Sequence, residues 1–138
     1  MKLFRADKLV DGTGAAPIEN AAILVDGDRI KAVGRAADIG TPEGAEIIDA
    51  PAGTTIIPGL VDVHVHLAYS GAVDPNAFRA ESSLIHYPAR ALRAARYARE
   101  SLEYGFTSLR DMHAPGGVVI DLRDAINEGR HEGPRIKA

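Results

Sequence analysis

The chain has 138 residues, 46% of them hydrophobic and 25% charged, with no cysteine and a formal net charge of −3. This composition is that of an ordinary globular protein and excludes disordered, collagen-like and low-complexity classes. Without cysteine there is no disulfide and no thiolate metal site, so any metal must be held by nitrogen and oxygen ligands.

Residues 1–55 read as short strands and tight turns. Residues 2–8 make a first strand, closed by Asp11-Gly12-Thr13-Gly14. Residues 21–25 and 29–33 flank Asp26-Gly27-Asp28. An Asp-Gly step between apolar runs predicts a hairpin, because glycine accepts the positive φ of the turn. Residues 46–49 form a further short strand, and the whole section predicts a small antiparallel sheet or half-sandwich. The pattern changes near residue 54. Residues 54–57 lead through Pro58-Gly59 into Leu60-Val61-Asp62-Val63-His64-Val65-His66-Leu67, an apolar run suited to a strand covered on both faces. A polar loop with Gly71, Asp74, Pro75 and Asn76 follows.

Residues 88–104 predict a helix, with Ala91, Leu92, Ala95, Ala98 and Leu102 as its apolar stripe. Gly105 stands where a C-terminal cap glycine is wanted. Residues 106–111 predict a strand. Val118, Leu122, Ala125 and Ile126 mark a second helix stopped by Gly129, and residues 134–138 open a third strand. Strand, helix, strand, helix, strand implies a parallel sheet, open or closed into a barrel. A (β/α)8 barrel needs about 250 residues, so the expectation is the N-terminal piece of a longer chain: a partial β unit at 1–55 and the first βα units at 56–138.

The chemistry concentrates at His64-Val65-His66. Alternate residues of a strand point the same way, so both imidazoles face one side, where they can share a divalent cation. Asp62 faces that side too and is a candidate to orient a histidine. Two histidines packed and hydrogen-bonded inside a core are the alternative.

Ile57-Pro58-Gly59-Leu60-Val61-Asp62-Val63-His64-Val65-His66-Leu67 resembles the first barrel strand of the amidohydrolase superfamily. Val10–Gly14 and Ile23–Ile30 are similar to that family's N-terminal β-sandwich. Gly105–Asp111 and Gly133–Ile136 resemble its prolidase-like and imidazolonepropionase-related subgroup. The resemblance implies an α/β fold, the N-terminal part of a (β/α)8 TIM barrel preceded by strands of a small β-sandwich domain. It implies a divalent metal, zinc in most members, as one or two ions, with His64 and His66 as ligands. The remaining ligands, and the aspartate that serves as general base, would come from later strands beyond Ala138. The implied reaction is hydrolysis of a C–N amide bond by metal-activated hydroxide, on a dipeptide or N-acyl amino acid. A cyclic amide such as imidazolonepropionate is the alternative substrate, and a catalytically inactive scaffold relative the alternative role. In both active cases the fragment alone is expected to be inactive.

Further candidates lie nearby. His113, with Arg110 and Asp111, ends the second barrel strand and is a candidate substrate contact, a backbone-bonded loop histidine being the alternative. Tyr69 and Ser70 follow His66 and are candidates to line the pocket. His86 at a helix entrance reads as structural and His131 as solvated. Arg90, Arg93, Arg96 and Arg99 read as a solvated helix face. Lys137, on the third strand, is not the family's bridging lysine. The acidic excess lies in residues 1–55, residues 56–138 are balanced and tryptophan is absent, which argues against a nucleic-acid partner. No run approaches the ~18 apolar residues of a membrane span. Residues 1–7 are charged and lack the apolar core of a secretory signal, so a cytoplasmic location is expected. The expected partners are a small-molecule amide or dipeptide and the remainder of the same chain, with a homo-oligomer left open.

Overall fold

In the computed structural model, which describes residues 1–138, strand β1 (Lys2–Leu9) is central to the first sheet. It pairs antiparallel with β2 (Ile18–Asp26), which turns at Gly27, φ 60°, into β3 (Arg29–Arg35). A crossover containing the four-residue helix α1 (Ala36–Ile39) brings the chain to the other edge of β1. There β4 (Glu46–Asp49) and β5 (Thr55–Ile56) pair parallel to β1. The sheet is therefore mixed, not purely antiparallel as the hairpin signal suggested; parallel neighbours need a crossover of this kind. Leu3, Leu9 and Ala22 are buried on one face of the sheet and Ala21 on the other.

The chain divides into two compact units, Met1–Pro58 and Gly59–Ala138. Thr55 and Ile56 belong to the first, because they pair with Lys8 and Leu9. The apolar run of 54–57 is thus the end of the first sheet and not a lead into the second.

The second unit is built on three parallel strands in the order β6 (Leu60–Val65), β7 (Phe106–Asp111), β8 (Arg135–Lys137). Helix α2 (Pro75–Leu84) follows β6, then α3 (Tyr87–Glu103), and α4 (Val118–Asn127) follows β7. Helix α2 replaces the expected polar loop. Its start signal is local: Asp74 accepts a hydrogen bond from the Asn76 N–H at 3.0 Å, and Pro75 opens the first turn. On α3 the buried stripe is Ala94 and Ala98, with Ala91 and Ala95 beside it, while Leu92 is exposed. These small residues let the helix pack against Leu109 of β7, Val119 and Leu122 of α4 and Ile136 of β8. Each fully buried Leu, Ile or Val contributes about 1.5–3 kcal/mol. Gly105, φ 89°, ends α3, and its carbonyl accepts the Leu60 N–H at 2.8 Å. No helix is long and apolar enough to cross a membrane.

Candidate functional site

Strand β6 ends at Val65, so His64 is its penultimate residue and His66 the first beyond it. Both side chains are exposed, with ring centroids 5.2 Å apart and planes at 75°. Asp62 does not orient a ring by any hydrogen bond in the structure. Its Oδ1 accepts the backbone N–H of His64 at 3.0 Å, which stiffens the strand one step before the pair.

The turn after His66 is held from the neighbouring strand. Val65 lies opposite Asp111 in the parallel register, and the Met112 N–H donates to the Val65 carbonyl at 3.0 Å. Asp111 is 8% exposed. Its Oδ2 accepts the Leu67 N–H at 2.7 Å and its Oδ1 accepts the His113 N–H at 3.1 Å. One carboxylate thereby ties together the loops that follow two strands. Burial pushes the Asp111 carboxyl above its ordinary value, against the opposing pull of the two N–H donors and of His66 and His113.

Beyond His66 the chain borders a cavity of about 720 Å³, lined in part by His66, Tyr69, Val73, Phe78 and His113. Tyr69 is its hub. Its ring stacks on Phe78 at 5.4 Å and on His113 at 6.0 Å, and meets His66 edge-on at 6.2 Å. Ser70 also lines the cavity and is held from behind by Glu81 of α2, a residue only 6% exposed. The Glu81 carboxylate accepts the Ser70 N–H at 2.9 Å and the Ser70 Oγ–H at 2.5 Å, and it pairs with Arg93.

The arginines of α3 are not one solvated face. Arg90 is 1% exposed, its Nη2 donating to the Glu81 carbonyl at 2.6 Å and its Nε to the Ile85 carbonyl at 3.2 Å. Its guanidinium lies 5.0 Å over the Tyr69 ring. Arg96 and Arg99 do pair in solvent, with Glu100 and Glu103. The reason is geometric: nine residues are two and a half helical turns, so Arg90 and Arg99 point to opposite sides. His86 is exposed at the α3 entrance and makes no side-chain capping bond. His131 is half-buried, not solvated, with Nε2 at 3.4 Å from the Ala95 carbonyl.

The structure thus brings His64, His66, Tyr69 and His113 together and leaves His86, His131 and Lys137 outside the group. Sequence reasoning missed Phe78, Glu81 and Arg90 as parts of this site and left the face of Asp111 undecided. Two signals were present: the Asp74-Pro75 helix start, and the alternation that puts Asp111 on the same side as buried Leu109. No group of three or more His, Cys, Asp or Glu side chains in the chain is arranged to hold a metal ion.

Residues 55–137 match the model of the amidohydrolase family. The chain belongs to this family. The imidazolonepropionase of Streptomyces griseus is 32% identical over 141 residues, an alignment covering 89% of this chain and 35% of that protein. The ochratoxinase of Aspergillus niger is 33% identical over 135 residues, covering 97% of this chain and 27% of that protein. Among solved structures, a Xaa-Pro dipeptidase with methionine bound in its active site superposes with a TM-score of 0.80 at 33% identity, covering 98% of this chain and 32% of that one. The amidohydrolase chain therefore spans about a third of the length of these relatives, and its α/β architecture is that of the opening section of their fold.

Proposed function

We propose that this amidohydrolase chain contributes the first two metal ligands, and part of the substrate pocket, of a metal-dependent hydrolase that cleaves C–N amide bonds. The observation that carries this is the His64–His66 geometry. The two rings stand 5.2 Å apart, both exposed, at the open end of β6, where each would offer a ring nitrogen to one divalent ion. Nitrogen donors suit zinc and similar divalent ions. Two ligands make an incomplete set, so the reading assigns the remaining ligands and the general base to barrel strands that these residues do not include.

His64 and His66 would hold a divalent ion, which when bound would supply an acidified water and a Lewis acid for the scissile carbonyl. The chain's own residues do the rest of the local work. Asp62 and Asp111 fix the backbone on either side of the pair, by accepting the His64 and Leu67 N–H groups. Tyr69 and His113 stand beside His66, where a bound amide would meet them.

Dipeptides or N-acyl amino acids are the substrates this reading favours, supported by the likeness to a Xaa-Pro dipeptidase that binds a free amino acid. A cyclic amide is the second reading, supported by the likeness to imidazolonepropionase. The test is to measure metal content of the full-length protein by mass spectrometry and to assay it on dipeptides, N-acyl amino acids and imidazolonepropionate. Stoichiometric metal with turnover of the first two classes is expected. A metal-free, inactive protein overturns the proposal.

A further inference from the structure

The cavity beside His66 has a chemical character that selects among amide substrates. Resting on the function proposed above, we infer that it is a subsite for an uncharged aromatic side chain of the substrate, with Phe78 and Tyr69 as its specificity-determining walls.

Three observations carry this. First, His66 borders the cavity and is also one of the paired histidines, so a substrate at the pair extends naturally into this space. Second, the cavity is lined without a single Asp, Glu, Lys or Arg. The charged groups nearby lie behind the wall and face other partners: Glu81 meets Ser70 and Arg93, Asp111 the Leu67 and His113 N–H groups, and Arg90, 1% exposed, two carbonyls and the Tyr69 ring, with its Nη1 buried and unpartnered. A charged side chain entering there would lose hydration and meet no fixed opposite charge from Asp, Glu, Lys or Arg in the lining. Third, the wall is largely aromatic. Tyr69 lies within 25° of parallel to Phe78 and within 22° of parallel to His113, so an incoming ring would pack against this aromatic group where Phe78 borders the cavity. The volume, about 720 Å³, lies within the range of small-molecule sites.

The wall is also braced. Arg90 supports the Tyr69 ring from a buried position, and the Ser70–Glu81 bonds tie the loop to α2, the helix that carries Phe78.

The experiment is calorimetric titration of the full-length protein with the N-acetyl amides of phenylalanine, aspartate and lysine. The phenylalanine compound is expected to bind at least about tenfold tighter than the charged pair. Phe78→Ala should weaken it by roughly threefold to tenfold, and Phe78→Leu by less. Leu84→Ala, on the same helix but outside the cavity, should leave the preference intact. Equal affinity for the three compounds, or a preference unchanged by Phe78→Ala, overturns the subsite. Hydrolysis assays on dipeptides carrying Phe, Asp or Lys at either position separate the two readings. An aromatic binding preference without cleavage of any C–N bond sinks the hydrolase and supports the subsite. Cleavage with no aromatic preference at either position sinks the subsite alone.

Discussion

At the scale of single residues, two kinds of side chain make the site: those that would meet metal or substrate and those that hold the backbone beneath them. Under the proposed function His64 and His66 are of the first kind. Replacing either with alanine in the full-length protein is expected to remove the ion from that position. Turnover should fall by more than about a hundredfold, since even the loss of an outer partner of a metal ligand costs 10–100-fold. Metal analysis and kcat measured together check this, and stoichiometric metal with normal turnover in both variants refutes the assignment. Asp111 is of the second kind. It accepts two backbone N–H groups from a buried position. Asp111→Asn keeps the shape but turns an NH2 toward one of those donors. The expected cost is about 1–3 kcal/mol, read as a shift of the urea midpoint at constant slope.

At the scale of elements, strand contacts set which positions tolerate change. A Cβ on Gly59 would collide with the Thr107 side chain on β7, just ahead of the β6 run that leads to His64. Gly59→Ala is therefore expected to destabilise by about 1–3 kcal/mol through overpacking, measured by chemical denaturation. In the first sheet Arg5 of β1 grips Asp49 of β4 with two hydrogen bonds, at 2.6 and 2.8 Å. The Arg5 hydrogen bond holds the Asp49 carboxyl below its ordinary range. A depressed folded-state pKa gives stability that is present above the unfolded carboxylate value and lost as pH falls through the folded one. Thermal melts of wild type and Arg5→Met should therefore differ at neutral pH and converge in acid. A gap that persists in acid would mean that charge pairing is not the cause. Both groups are solvated, so the gap is small.

At the scale of the whole molecule, the question is what residues 1–138 do alone. Their three-stranded parallel sheet ends on β6 at one edge and β8 at the other, and Val61 and Val63 of β6 are exposed. Two histidines leave a zinc ion mostly hydrated, whereas catalytic zinc sites have three protein ligands. The isolated chain with added zinc is expected to show no turnover of dipeptides or N-acyl amino acids. Turnover comparable with the full-length protein would show that later strands are dispensable. In the first unit Ile30, Val33 and Ile47 are exposed, so residues 1–58 alone are expected to lack protected, dispersed amide signals in solution.

Much of this was legible before any coordinates. Strand alternation put His64 and His66 on one side; Gly27 marked the hairpin, Gly105 the end of α3, and the order of strands and helices the parallel sheet. Each of these is a local property, decided within a few residues by φ, ψ and side-chain period. The tertiary structure alone decided the rest. It made β1 and β4 parallel, buried Arg90 and turned it onto Tyr69, and set Phe78 of α2 in the cavity wall. It also brought Asp111 under Leu67, 44 residues away in sequence. These outcomes depend on partners supplied by other elements of the fold. Burial of a charged group such as Asp111, Glu81 or Arg90 is affordable only where distant backbone and side-chain groups satisfy it. No period or motif in the surrounding residues encodes those partners.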